Sequence, residues 1–120
     1  MSNFFLLDTY AFFEFIAGNK EYKKYLGKKS ATTVFNMAEL NYNLKKEMSK
    51  RKADSYTTKY SKMLVDVTVE DILLAGDLKR ENRLLSLPDC IGYVTAKRIG
   101  AKFLTGDKEF EKMKDVEFVK

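Results

Sequence analysis

Short apolar runs alternate along this chain with stretches of helical periodicity, and the runs are too brief to be helices themselves. Asn3–Leu7 reads as a buried strand. Thr9–Ala17 follows with Tyr10, Phe13 and Ala17 at helical spacing, and Gly18-Asn19 closes it. Lys20–Leu26 predicts a second short helix stopped by Gly27. The β-branched run Thr32–Phe35 predicts a short strand, after which Asn36 is placed to N-cap a helix with the stripe Met37, Leu40, Leu44 and Met48. Ala53–Ser61 predicts a helix and Met63–Val67 a strand. Thr68 caps the next helix, with Asp71 three residues on. Pro88 opens another in its first turn, with Leu87, Ile91 and Val94 on one side and Gly100 at its end. Lys102–Thr105 reads as a strand, Asp107–Met113 as a short helix and Val116–Val119 as a last strand. Strand and helix in alternation predict an α/β fold with a mainly parallel sheet. The 120 residues suit a single domain over 1–120, with no linker or repeat to divide them.

Sheets of this kind carry their sites at the carboxyl ends of the strands, and acidic residues fall there. Asp8 directly follows the first strand, and Asp107 follows Lys102–Thr105 through Gly106. Glu39 stands in the first turn of the helix that Asn36 would cap, and Asp89 in the first turn of the Pro88 helix. Each has an ordinary structural role open to it. Asp8 and Asp107 suit N-caps, Glu39 has capping-box spacing from Asn36, and Asp89 suits the helix dipole. Together the four are harder to explain that way. Clustered carboxylates repel one another and raise each other's pKa, which a hard cation such as Mg²⁺ or Mn²⁺ relieves through oxygen ligands.

Composition narrows the chemistry. There is no histidine, so neither a histidine base nor an imidazole metal site is possible, and the single Cys90 excludes an internal disulfide. Cys90 itself reads as a small buried residue. The net charge of +5 favours polyanionic partners. The apolar start lacks a basic leader and is interrupted by Asp8 and Glu14, and no run approaches the ~18 apolar residues of a membrane helix. The expectation is a cytoplasmic protein without membrane contact.

Four segments resemble the PIN domain family, and within it the VapC-like toxin ribonucleases. They are Leu6-Leu7-Asp8-Thr9-Tyr10, Asn36-Met37-Ala38-Glu39-Leu40, Leu85-Ser86-Leu87-Pro88-Asp89, and Phe103-Leu104-Thr105-Gly106-Asp107-Lys108-Glu109-Phe110. No one of them is specific; their order and spacing together are. The middle of the chain, Tyr56–Leu84, matches only in pattern. The resemblance implies a three-layer fold, with Asp8, Glu39, Asp89 and Asp107 as catalytic metal ligands for Mg²⁺ or Mn²⁺ and Thr105 as a supporting hydroxyl. Some members carry a further acid or asparagine near the last ligand, where Gly106 offers no side chain. The implied activity is hydrolysis of RNA phosphodiester bonds, in which a divalent ion acidifies a water and offsets charge on the leaving oxygen. The resemblance also implies the toxin of a type II toxin–antitoxin pair, with a cognate antitoxin protein as partner.

An acidic site acting on RNA needs basic residues around it. Lys45, Lys46, Lys50, Arg51 and Lys52 are candidates, with Lys79, Arg80, Arg83 and Lys97, although any of them also suits an ordinary solvated helix face. Lys46, Arg80, Arg83 and Lys97 are the RNA-binding set. Tyr10, Tyr42 and Tyr93 are available to stack on bases, though core packing is the simpler expectation for each. The aromatic excess of the N-terminal half, Phe12 and Phe15 in particular, predicts a homodimer. A PIN-like protein that binds RNA without cutting it is an alternative. A phosphoacceptor signalling domain fits less well: Asp8-Thr9 supplies no acidic pair, and Asp66 lies inside the Met63–Val67 strand. An Asp-x-Asp phosphatase fails because Tyr10 occupies the second position.

Overall fold

A computed structural model describes residues 3–120. Its centre is a four-stranded, wholly parallel sheet of β1 (Phe4–Leu7), β2 (Lys29–Ala31), β3 (Lys102–Thr105) and β4 (Val116–Phe118), in the order β2-β1-β3-β4. Leu6 of β1 stands opposite Ala31 on one side and Phe103 on the other. Successive side chains of a strand face opposite ways, and β1 divides the core accordingly. Phe5 and Leu7 join Leu104, Phe12, Tyr22, Leu40 and Leu44 on one face. Leu6 joins Phe103, Ala75, Ile91, Ala96 and Phe110 on the other. Both faces are covered, as parallel strands require, and the α/β architecture with helices flanking a parallel sheet is the expected one.

The helices are α1 (Thr9–Ala17), α2 (Lys20–Lys23), α3 (Val34–Glu47), α4 (Lys50–Tyr60), α5 (Val69–Glu81) and α6 (Leu87–Ile99). α1 begins on Asp8, and Gly18 ends it in the left-handed conformation (φ 79°). α5 has the expected capping box of Thr68 and Asp71. α6 carries Pro88 in its first turn behind the N-cap Ser86.

Several local expectations are corrected. α3 is capped by Thr33, whose hydroxyl accepts the Asn36 N–H, so the helix starts before Asn36 and Glu39 falls in its second turn. Thr32–Phe35 therefore lies beyond the end of β2: Thr32 makes an isolated bridge, Thr33 is the cap, and Val34 and Phe35 already belong to α3. Met63–Val67 forms no strand: after a 3-10 turn at Ser61–Met63 it makes a single bridge, Thr32 with Leu64. Thr32 bonds both Met63 and Val65 there, and the next residue already caps α3, which leaves no further strand to pair with. Asp66 lies in this irregular segment, where its carbonyl accepts from Arg98. α4 begins at Lys50 behind Ser49, earlier than Ala53. α2 is one turn, and Asp107–Met113 shortens to a 3-10 turn at Lys108–Phe110. On α6, Ile91 is buried while Leu87 is 48% exposed. Phe12 is fully buried, its ring 4.7 Å from that of Tyr60, and Phe15 packs on Tyr22. Neither is a surplus aromatic, so the argument from them to a dimer fails.

α6 lies close on the sheet because residue 92 has no side chain. A Cβ on Gly92 would stand 2.8 Å from Asn36 Oδ1, 3.0 Å from Phe103 Cε1 and 3.3 Å from Leu6 Cδ2. Gly76, within α5, has nothing within 4 Å of that position. The two glycines make a matched pair for a stability measurement. Gly76→Ala should raise the unfolding free energy by about 0.5–1 kcal/mol through helix propensity. Gly92→Ala should lower it by about 1–3 kcal/mol through overpacking. Urea titrations of both variants check this, and equal shifts of one sign would refute the packing account.

Candidate active site

Because every strand runs the same way, the ends of β1 and β3 and the beginning of α6 meet at one edge. Asp8 leaves β1 there and is fully buried. Its Oδ1 accepts the Ala11 N–H at 2.8 Å, and its Oδ2 accepts the Thr105 hydroxyl at 2.5 Å. Thr105, the last residue of β3, also accepts the Asp107 N–H at 3.0 Å. One hydroxyl thus fixes two acidic residues relative to each other. Asp107 caps the 3-10 turn through the Glu109 N–H at 3.0 Å and is partly exposed.

Asp89 approaches from α6. It is 7% exposed, and its N–H donates to the N-cap Ser86. Asn36 donates from Nδ2 to Asp89 Oδ1 at 3.3 Å and to the Pro88 carbonyl at 3.4 Å, while Thr33 donates to Asn36 Oδ1 at 2.8 Å. Glu39, partly exposed on α3, accepts the Thr9 hydroxyl at 2.7 Å.

Electrostatics ties the four acids together. Burial pushes Asp8 up to about 7 against the relief from Thr105 and Ala11, with the charges of Asp107 and Glu39 adding to it. Burial and then the charges of Asp8 and Glu39 push Asp89 up to about 9, with Asp107 contributing less. Neither carboxyl group has a lysine or arginine partner among the described ion pairs. The four acids share one electrostatic neighbourhood, but no three acidic or thiol side chains among the described residues stand at ligand spacing. An all-oxygen donor set still suits a small hard cation, because Mg²⁺ is commonly held by one or two carboxylates and completes its shell with water.

Two groups at the site, Asn36 and Thr9, lie outside the candidate set, and the packing at Gly106 adds a constraint. From sequence Asn36 reads as a helix cap. The available signal was its place four residues before the core residue Leu40, which puts a polar side chain on the buried face. Thr9, 7% exposed, holds Glu39. Gly106 is buried beneath Tyr10: a Cβ there would overlap the Tyr10 ring and come within 2.5 Å of the Val119 carbonyl oxygen. That packing leaves no room for a further ligand at position 106.

The basic candidates are spread more widely. Lys46 lies two turns from Glu39 on α3 with its ammonium 4.4 Å from the Tyr42 ring centroid, and Tyr42 is 65% exposed, so a stripe Glu39–Tyr42–Lys46 runs outward from the acids. Arg80 and Arg83 are exposed at the end of α5 and in the connection to α6. Lys79 is occupied by the Arg83 and Leu85 carbonyls. Lys97 lies about 12 Å along α6 from Asp89, 3.9 Å from Asp115. Lys45 and Lys50 both pair with Asp54, and Arg51 and Lys52 are exposed on the first turn of α4. Tyr10 is half-buried, whereas Tyr93 belongs to the core and donates to the Lys114 carbonyl. Cys90 is buried, and burial raises its thiol pKa to about 11. A groove of about 500 Å³ between α5 and α6 contains none of the four acids. They stand at the carboxyl edge of the sheet, Asp8 and Asp89 buried and Glu39 and Asp107 partly exposed.

A model of the PIN domain family matches residues 5–116. No curated protein sequence matches the chain. Among solved structures it is similar to VapBC2 from Rickettsia felis bound to a promoter DNA fragment (TM-score 0.74, 19% identity, 97% of each chain covered). It is also similar to DNA-bound VapBC from Salmonella typhimurium (0.73, 16%, 96% of each) and to a toxin–antitoxin complex from Klebsiella pneumoniae (0.71, 21%, 93% of this chain and 94% of that one).

The raised carboxyl groups have a measurable consequence. Their unfolded-state values are near 3.9, so between that pH and the folded values the native state binds more protons than the unfolded one. The stability contributed by those protons is complete below about pH 4 and is lost as pH rises through about 7 for Asp8 and about 9 for Asp89. In chelator, the melting temperature should fall between pH 5 and pH 9. Asp89→Asn should flatten the decline above pH 7. An unchanged slope in that variant would show that Asp89 is not the group responsible.

Proposed function

The chain belongs to the PIN domain family, and we propose that it is a divalent-metal-dependent endoribonuclease, the toxin of a type II toxin–antitoxin pair. The observation that carries this reading is the pair of buried carboxyl groups, Asp8 and Asp89. Among the described residues neither pairs with a cationic side chain, and both lie in the field of Glu39 and Asp107 at the carboxyl edge of the sheet. Asp8, Glu39, Asp89 and Asp107 would hold Mg²⁺ or Mn²⁺, with water filling the remaining positions. When bound, the ion supplies an acidified water and a charge that offsets the leaving oxygen.

The chain's own residues do the rest. Thr105 and the Ala11 N–H hold Asp8 in one orientation before any ligand arrives. Asn36 does the same for Asp89. Glu39 and Asp107, both partly exposed, are proposed to accept a proton from the attacking water at a carboxylate oxygen. Lys46, Arg80, Arg83 and Lys97 are proposed to contact RNA phosphates, with the exposed Tyr42 beside Lys46 as a stacking surface. A protein that binds RNA without cutting it is the second reading, favoured by the absence of three acids at ligand spacing among the described residues.

Partners follow from the same reading. The similar solved structures are described as toxin–antitoxin assemblies, which supports an antitoxin for this chain. A homodimer is supported by exposed apolar side chains on α5, Val69 at 73% and Leu73 at 65%. Among the described residues no helix is long and apolar enough to cross a membrane. The proposed location is the cytoplasm, where the lone thiol stays reduced.

Purified protein should cleave single-stranded RNA with Mg²⁺ or Mn²⁺ and not in excess chelator. Asp8→Asn, Asp89→Asn and Asp107→Asn should each abolish cleavage, and Thr105→Val should reduce it by about 10–100-fold through a loosened Asp8. Cleavage that survives chelation but not the substitutions would exclude the metal. Binding without cleavage under all conditions would establish the second reading. Separately, Val69→Glu/Leu73→Glu should convert a dimer to a monomer by light scattering at tens of micromolar, where modest association is populated. A wild type that is already monomeric there would remove the dimer from the proposal.

A further inference from the structure

The edge of the sheet opposite the acids is lined with lysines. Lys29 is the first residue of β2 and Lys102 the first of β3, and they stand beside Phe4 and Phe5 at the start of β1. Lys24 and Lys28 come to the same edge from the chain between α2 and β2. Lys24, Lys28 and Lys102 line a hollow of about 280 Å³ with Asn3 and Glu117. Lys24, Lys28 and Lys29 line an adjoining hollow of about 540 Å³. Among the described residues none of these four lysines pairs with a carboxylate. Glu117, the acid in the first hollow, accepts the Tyr25 hydroxyl at 2.6 Å. Two of the ammonium groups rest on aromatic rings, Lys29 at 4.3 Å from the Phe4 centroid and Lys24 at 5.5 Å from that of Tyr25.

We propose that this lysine-lined amino edge is a second contact surface for the phosphodiester backbone of single-stranded RNA, gripping the strand away from the bond that is cut. The proposal rests on the ribonuclease reading and names how the substrate of that site is held. Charge and shape select the ligand. The four ammonium groups are distributed over two adjoining hollows, which matches a repeating anion better than one isolated phosphate. A membrane surface would call for several apolar side chains among the lysines, and among the described residues Leu26 is the one exposed large apolar residue lining these hollows. The amino and carboxyl edges are separated by about 13 Å of strand, so an RNA engaged at both runs over the flank of the molecule. Binding there neutralises phosphates and releases counterions, which makes it salt-dependent whatever the sequence.

The test measures binding in the Asp89→Asn protein, so it does not depend on cleavage. A labelled 20-nucleotide single-stranded RNA is titrated across a range of salt concentrations. It is titrated against Asp89→Asn alone, against that protein with Lys28→Ala/Lys102→Ala, and against it with Lys59→Ala/Lys62→Ala. The last pair is exposed at the end of α4 and in the turn that follows it and removes the same charge. The Lys28/Lys102 pair should weaken binding about tenfold at low salt and reduce the log–log salt slope by about 1.4, near 0.7 per lost phosphate contact. The Lys59/Lys62 pair should do less than half of that. Equal losses in both pairs would mean that net charge alone is responsible, and no loss in the first pair would remove the site; either overturns the proposal. The same proteins are titrated with vesicles containing phosphatidylserine and with a 20-base-pair DNA duplex, and a first pair that loses only vesicle binding or only duplex binding also overturns it. Failure of the ribonuclease reading shows separately, as absence of metal-dependent cleavage by the wild type.

Discussion

Parallel pairing is the constraint from which the rest of this molecule follows. β1 pairs in parallel with both β2 and β3, so each return of the chain crosses a face of the sheet as a helix. All carboxyl ends then share one edge, and the helices that follow begin there. Residues distant in sequence, Asp8, Glu39, Asp89 and Asp107, are brought into one another's field by that rule alone. Capping and site formation are consequently not rival explanations. Asp8 caps α1 with one oxygen while the other receives Thr105, and Asp107 caps its turn while its own N–H is tied to the same threonine.

Two carboxyl groups kept out of water near each other oppose folding. The protein tolerates them because each is held by hydrogen bonds that specify its direction, while Leu6, Phe103, Ile91 and Phe110 pack beside them in a buried apolar cluster. Gly92 connects the two. Its missing side chain lets α6 settle against Phe103 and at the same time leaves room for the Asn36 amide that reaches Asp89. A residue that looks like a helix weakness is the point at which core packing and site geometry are set together.

Much of this was legible in the residues. β1, α1, the α5 capping box, α6 and β3 carry strong local signals, whether apolar runs, caps or terminal glycines, and they stand where those signals place them. The errors cluster where two local preferences compete. Thr33 and Asn36 are both good caps, and nothing in the sequence says which one the chain uses. Thr32–Phe35 has the side chains of a strand, yet the turn into α3 begins inside it. Met63–Val67 has strand composition but only a single residue, Thr32, to pair with. The acidic positions could be placed at the right edge from topology. Of the groups that orient them, Thr105 entered only through the family resemblance, and Thr9 and Asn36 were not placed at the site, since they find their partners across 30 and 53 residues.

The space around Gly106 is closed by two different kinds of atom. The Tyr10 ring lies where a Cβ of residue 106 would project, and the Val119 carbonyl oxygen closes the other side at 2.5 Å. A smaller residue at position 10 would clear the ring and leave the carbonyl in place, because the Val119 N–H is itself tied to the Thr105 carbonyl at 2.9 Å. The backbone that follows β4 therefore keeps residue 106 bare whatever stands at position 10, and the turn between Thr105 and Asp107 is shaped by main chain as much as by side chain.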